Sequence, residues 1–177
     1  MLQPARRSLR ENLRVVGVAL AAAILVRAYF LQPFIIDGVS MQNTVQNQER
    51  LLVAKLPPRY VPLHYGELVV FQPPIPGYQG DYIKRVIATG GQTVSMVDGQ
   101  VYVDGRKMPQ PYLVQHGEST EDKDSIAPVK VPAGDIFVLG DHRDDSEDSR
   151  MFGPVALSEV KGVAFWAYWP FSRFGPL

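Results

Sequence analysis

Three groups of residues carry chemistry that could act on a polar substrate, and each also has an ordinary structural reading. The first is Gly38-Val39-Ser40-Met41. A serine in a glycine-containing loop is usually a turn residue, but its hydroxyl becomes a nucleophile when a neighbouring base takes its proton. The second is Lys84, inside the apolar run Asp81–Ala88. A strand lysine usually faces solvent or guards an edge. On a buried face, however, desolvation lowers the ammonium pKa and makes a neutral amine, a usable general base. The third is Gly140–Arg150 (GDHRDDSEDSR), directly after the strand-like Ile136–Leu139. A charge run of this kind is usually a solvated loop. A calcium loop does not fit it, because the alternating aspartates, the sixth-position glycine and the twelfth-position glutamate of an EF-hand are missing.

The remaining candidates are few. The chain has three histidines, His64, His116 and His142. The first lies in a proline-rich loop and the second in a polar stretch, so His142 is the one suited to a Ser-His-Asp triad with Ser40. There is no cysteine, which excludes thiol nucleophiles, disulfides, zinc–thiolate sites and iron–sulfur clusters.

These residues need elements to position them, and the charge distribution separates two parts of the chain. The 177 residues carry 18 Lys+Arg and 18 Asp+Glu. Residues 1–31 hold five arginines and one acid, a balance of +4, which leaves −4 on the body. Such a basic head suggests a membrane or a nucleic acid as partner. After Arg14 comes Val15–Val26 (VVGVALAAAILV), twelve residues without a polar side chain. Extended to Leu31, the segment spans about 25 Å of helix against a hydrocarbon core of about 30 Å. It suffices if Arg14 and Arg27 snorkel to opposite faces. A cleaved export signal would need small residues at the cleavage site, where Tyr29-Phe30-Leu31-Gln32-Pro33 stands. A soluble buried helix leaves the preceding arginines unexplained. The reading adopted is an uncleaved anchor stopped by Pro33, with its N-terminus cytoplasmic by the positive-inside rule.

Beyond the anchor, 15 glycines and 15 prolines break the chain into short runs. Arg50–Ala54, Glu67–Phe71, Asp81–Ala88, Thr93–Val97, Gln100–Val103, Val129–Val131, Ile136–Leu139 and Val160–Trp166 read as strands, with Asp98-Gly99 as a hairpin turn. In the third of these, Tyr82, Lys84 and Val86 share one face and Ile83, Arg85 and Ile87 the other. Residues 115–128 are polar and acidic, a surface excursion. The expected fold is all-β: a basic head (1–14), a single N-terminal transmembrane helix (15–32) and an antiparallel β-rich domain (33–177).

Ser40-Met41 after an anchor, Asp81-Tyr82-Ile83-Lys84-Arg85-Val86-Ile87, and Gly140-Asp141 through Asp148-Ser149-Arg150-Met151-Phe152-Gly153, in that order, together resemble type I signal peptidase. Gly66–Phe71 resembles the strand that precedes the lysine block in that family. The resemblance covers roughly Phe34 to Val155. It implies a membrane-anchored serine endopeptidase, without a cofactor or metal, that removes signal peptides from exported preproteins after small residues at −3 and −1. It implies a Ser/Lys dyad: Ser40 attacks, Lys84 takes the proton, and Ser146 hydrogen-bonds the lysine. Asp148, Arg150 and Arg85 would form a supporting ion-pair network, with Asp141 and Arg143 bracing the same loop. The Ser40 N–H would donate to the oxyanion. Phe34, Ile36, Gly38, Met41, Val45, Tyr82 and Ile83 would line the substrate pockets, beside an edge strand able to pair with an extended peptide.

Three positions depart from the family pattern. Asn43 precedes Thr44 where proline is usual, His142 follows Gly-Asp where asparagine is usual, and Gly38 stands where some members carry a second hydroxyl donor. Ser40 lies nine residues after Leu31, so the linker spans at most roughly 30 Å and holds the site near the bilayer. The catalytic domain is expected on the extracytoplasmic face of a cell membrane, with preprotein signal peptides and lipid as partners and no nucleic acid. The aromatic run Ala164–Phe171 suits either an interfacial belt or a core strand with Trp166 buried. Two other readings stay open, a different Ser/Lys maturation protease and a membrane-tethered β-domain that binds peptides without cutting them.

Overall fold

Apolar runs bounded by glycine and proline become strands wherever a neighbour can satisfy their backbone groups. The computed structural model describes residues 9–42, 44–55, 62–113 and 124–177. Helix α1 (Leu9–Tyr29) comes first. Then follow β1 (Leu31–Ile35), β2 (Arg50–Ala54), β3 (Leu68–Phe71), β4 (Tyr82–Thr89), β5 (Thr93–Val97), β6 (Gln100–Val103) and β7 (Arg106–Lys107). The last third holds β8 (Ile126–Lys130), β9 (Asp135–Leu139), the single turn α2 (Ser149–Phe152), β10 (Val155–Ala156), β11 (Val160–Trp169) and β12 (Gly175–Pro176). Among the described residues every strand pairing is antiparallel. The larger sheet runs β1-β2-β11-β3-β4-β9-β10, with β12 on β11, and the smaller runs β7-β6-β5-β8.

The sheet order explains why the central strands lack a polar face. Strand β3 sends Leu68 and Val70 into one core cluster, with Met41, Leu51 and Ile83. It sends Val69 and Phe71 into another, with Val86, Ile136 and Val138. A strand covered on both faces reads as a continuous apolar run. A third cluster, around Ile87, Val94, Met96 and Phe137, joins the two sheets. Strand β4 passes through all three, with an irregularity between Val86 and Ala88, and both its faces are buried. That is how Lys84 comes to be 3% exposed.

Two expectations shift. Pro33 does not stop the helix, which ends at Tyr29; it lies within β1, an edge strand whose outer side needs no proline N–H. Of α1, the side chains of Glu11–Leu25 are exposed. Among the described residues no helix is long and apolar enough to cross a membrane. In β11 the small residues Ala164 and Ala167 face the core, while Phe165 and Trp169 are exposed and Trp166 is half-buried. Most of the acidic excursion, including His116, lies outside the described residues, as do Asn43, Pro57 and Pro58.

Candidate active site

The turn that follows β1 carries Ser40. It begins at Gly38, whose φ of +127° is a backbone conformation that L side chains rarely adopt, and Gly38 N–H donates to Asn47 Oδ1 (3.1 Å). Strand β4 supplies the facing lysine. Lys84 Nζ donates to Ser40 Oγ at 2.6 Å across 44 residues of sequence. The Lys84 ammonium also lies 4.9 Å from the centre of the Tyr82 ring. Burial lowers its pKa from 10.5 to about 8, against the pull of the Asp148, Glu147 and Asp141 carboxylates. Desolvation outweighs three nearby acids because the amine has lost nearly all its water. A neutral amine within hydrogen-bond reach of a hydroxyl can accept its proton.

The loop Gly140–Arg150 braces this pair through two separate bidentate ion pairs. Arg85, on the face of β4 opposite Lys84, takes Asp141 as its carboxylate, with Nε–Oδ1 2.8 Å and Nη2–Oδ2 2.5 Å. Its Nη1 donates to Gly66 O (2.6 Å), and its guanidinium lies 4.1 Å from the centre of the Tyr112 ring. Arg150 grips Asp148 (Nε–Oδ1 2.9 Å, Nη2–Oδ2 3.0 Å) and donates to Arg143 O (2.6 Å). Asp148 in turn accepts from Gly140 N–H (3.0 Å) and caps α2 by accepting Arg150 N–H (3.1 Å). Arg143, 2% exposed, donates to Gly140 O (3.0 Å), to Gln110 Oε1 (2.6 Å) and to Gly99 O (3.5 Å), the last in the turn between β5 and β6 of the smaller sheet. Charges buried this deeply hold their place only because each is hydrogen-bonded, and Asp141 and Asp148 are each paired with an arginine as well.

The expected site residues therefore converge, with particular differences. Ser146 Oγ donates to Asp148 Oδ2 (2.8 Å) and makes no hydrogen bond with Lys84 in this structure. His142 donates its backbone N–H to Ser40 O (3.0 Å), while its buried Nδ1 has no hydrogen-bond partner among the described residues. The hydroxyl of Ser40 faces the lysine, not an imidazole. Gly140 leaves no room for a side chain, since a Cβ there would meet Ser146 Oγ and sit 2.7 Å from Ser40 O.

A cleft of about 700 Å³ opens over the pair. Phe34, Ile36, Gly38, Met41, Tyr82 and Ile83 line it. Val45 does not; it is fully buried in the core beneath. Tyr82 Oη donates to Glu147 Oε2 (2.6 Å) across one end of the cleft, and burial together with that carboxylate pushes the phenol pKa up. Tyr78 stacks edge-on against Tyr82, ring centres 5.2 Å apart. Among the described residues strand β4 pairs with β9 only from Arg85 onward, which leaves the side of Tyr82–Lys84 turned away from β3 without a partner strand. Sequence reasoning missed Tyr78, Glu147, Glu49 and Arg173. Of these only Glu147 has a local signal, as the neighbour of Ser146 and Asp148 in the charged loop.

Residues 9–169 match the family described as "Signal peptidase, peptidase S26". The chain is 35% identical over 175 residues to "Probable signal peptidase I-1" of Synechocystis sp., covering 96% of this chain and 87% of the relative. It is 34% identical over 177 residues to signal peptidase I of Bacillus licheniformis, covering 95% and 92%. A solved signal peptidase I from Enterococcus faecalis V583 aligns with a TM-score of 0.49 at 30% identity, covering 57% of this chain and 95% of that one.

Proposed function

The chain belongs to the peptidase S26 family of signal peptidases, and from that premise we propose that it removes N-terminal signal peptides by a Ser40/Lys84 dyad. The observation that carries the dyad is the 2.6 Å contact between Lys84 Nζ and Ser40 Oγ at the floor of the cleft. Lys84, neutral, takes the Ser40 proton as Oγ adds to the scissile carbonyl. The oxyanion accepts from the Ser40 N–H, which meets no other acceptor among the described residues. Lys84 then returns the proton to the departing amine of the mature protein. Lys84, neutral again, takes a proton from a water that adds to the acyl-enzyme carbonyl, and returns that proton to Ser40 Oγ as the Oγ–acyl bond breaks and the signal peptide leaves. Asp141, Arg85, Asp148, Arg150, Arg143 and Ser146 hold the two reacting groups in register. Met41, Ile36, Phe34, Tyr82 and Ile83 leave pockets that suit small residues at −1 and −3 of an extended peptide paired along Tyr82–Lys84.

The same reading places the apolar stretch of α1 in lipid. Val15, Val16, Val18, Leu20, Ile24 and Leu25 are all more than half exposed, surface that water disfavours and a bilayer covers. The arginines before it set the N-terminus in the cytoplasm, leaving residues 33–177 on the extracytoplasmic side. Exposed Trp169, Phe171 and Phe174 suit the interface. The test compares wild type with Ser40→Ala, Lys84→Ala and His142→Ala on a preprotein carrying an Ala-x-Ala site. Loss of cleavage in the first two, with His142→Ala active, is expected. An active Lys84→Ala beside a dead His142→Ala would replace the dyad by a triad. Absence of cleavage by wild type would favour a peptide-binding domain.

A further inference from the structure

The turn that carries Ser40 is held from two sides, and the lysine brace accounts for one of them. Gln42 N–H donates to Val39 O (2.9 Å), and Thr44 N–H (2.9 Å) and Val45 N–H (2.8 Å) both donate to Met41 O. On the lysine side, Arg85 Nη2 donates to Thr44 Oγ1 (2.9 Å), which itself donates to Asp141. On the far side, the main-chain carbonyl of Thr44 accepts from Arg173 Nη2 at 2.6 Å, across 129 residues.

Arg173 has a second partner. Its Nε lies 3.2 Å from both oxygens of Glu49, a carboxylate only 1% exposed. Glu49 Oε2 also accepts Gln46 N–H (2.8 Å), and Glu49 O accepts Ile36 N–H (2.9 Å). Arg173 and Glu49 thus tie together the segment from Ile36 to Glu49, within which Ser40 lies. The arginine reaches this place because the chain after β11 hooks back on itself. Phe171–Arg173 form one turn of 3-10 helix, β12 pairs onto Trp166 and Ala167, and the Phe174 ring packs edge-on to Trp166 at 5.4 Å.

A buried carboxylate needs a cation for stability alone, and that need explains the Nε contact with Glu49. It does not explain the Nη2 bond to Thr44 O, which fixes the turn rather than a charge. We propose that Arg173 is a positioning residue that clamps the Ser40 turn from outside, so that Ser40 Oγ stays within reach of Lys84 Nζ. The proposal rests on the reading of Ser40 as nucleophile. Displacing a reacting atom by about 1 Å costs on the order of a hundredfold in rate, so a clamp remote from the chemistry acts on kcat.

The experiment uses the full chain in detergent and the Ala-x-Ala preprotein, with Arg173→Met, Arg173→Lys and the double variant Glu49→Gln/Arg173→Met. It reads kcat, KM, thermal stability and hydrogen exchange at the amides of Gln42, Thr44 and Val45. Arg173→Met is expected to lower kcat about ten- to a hundredfold, with KM nearly unchanged and faster exchange in the turn. The double variant removes the uncompensated buried charge, so it recovers stability but keeps the low kcat. Arg173→Lys retains the charge and recovers only part of the rate. Wild-type kcat in Arg173→Met overturns the proposal, as does a double variant with full kcat, since Arg173 would then serve Glu49 alone. If Ser40→Ala still cleaves, the nucleophile assignment fails, and exchange decides about the clamp separately: faster exchange in the turn supports it, unchanged exchange overturns it.

Discussion

Lys84 is both the proposed base and a stability cost, because the same burial produces both effects. Its folded pKa of about 8 lies below the unfolded value of 10.5. Between those values the unfolded chain binds more protons, so stability rises with pH from about 8 to 10.5, and below that window the penalty is fully present. Lys84→Met is therefore expected to abolish cleavage yet raise the unfolding free energy near pH 7 by about 2–3 kcal/mol. Denaturant unfolding reads this directly; a variant less stable than wild type would mean that the ammonium is well solvated. For the wild type, kcat/KM should climb with a slope of one up to a limb near pH 8 and then level off. A limb near the ordinary histidine value of about 6.5 would point to His142 instead. Ser40 and Lys84 stand out in the sequence because their residue types carry the chemistry, whereas Ser146 enters only through the family resemblance. Glu49 and Arg173 carry no such mark: one glutamate and one arginine among many, joined only by the fold.

Elements decide which side chains meet. Strand β4 was legible in the alternation around Lys84, and the structure extends it to Thr89 because β9 pairs that far. Strand β1 was not legible, since Pro33 reads as a helix stop until an edge position removes the need for its N–H. The loop between β9 and α2 works by close approach. At Gly140 an added Cβ would overlap Ser146 Oγ and press on the Ser40 carbonyl, and a backbone atom cannot swing aside as a flexible side chain does. Gly140→Ala is expected to lower kcat more than tenfold and to destabilise the chain by about 1–3 kcal/mol, read by turnover and by thermal melting. An alanine variant with wild-type turnover would mean that the loop and the serine turn can separate without consequence.

At the scale of the molecule, the +4 head and the exposed apolar helix divide the chain into a proposed membrane part and a β-rich body. The full chain is expected to float with phosphatidylcholine/phosphatidylglycerol vesicles and to resist carbonate extraction; recovery in the carbonate supernatant would remove the anchor from the proposal. Composition, order of motifs and periodicity by themselves determined the β-rich class, the apolar N-terminal segment, the nucleophile and base candidates, and which face of β4 each residue occupies. Those properties are local, set by side-chain type and by a period of two. Only the tertiary structure decided that both faces of β4 are buried, which turns an ordinary strand lysine into one with a pKa near 8. It also assigned Arg85 to Asp141 and Arg150 to Asp148, and brought Arg173 onto Thr44. The reason is physical: desolvation and ion pairing depend on what lies across a sheet or loop from a residue. Sheet order, joining positions 44 to 129 residues apart, is not written in the neighbourhood of any one of them.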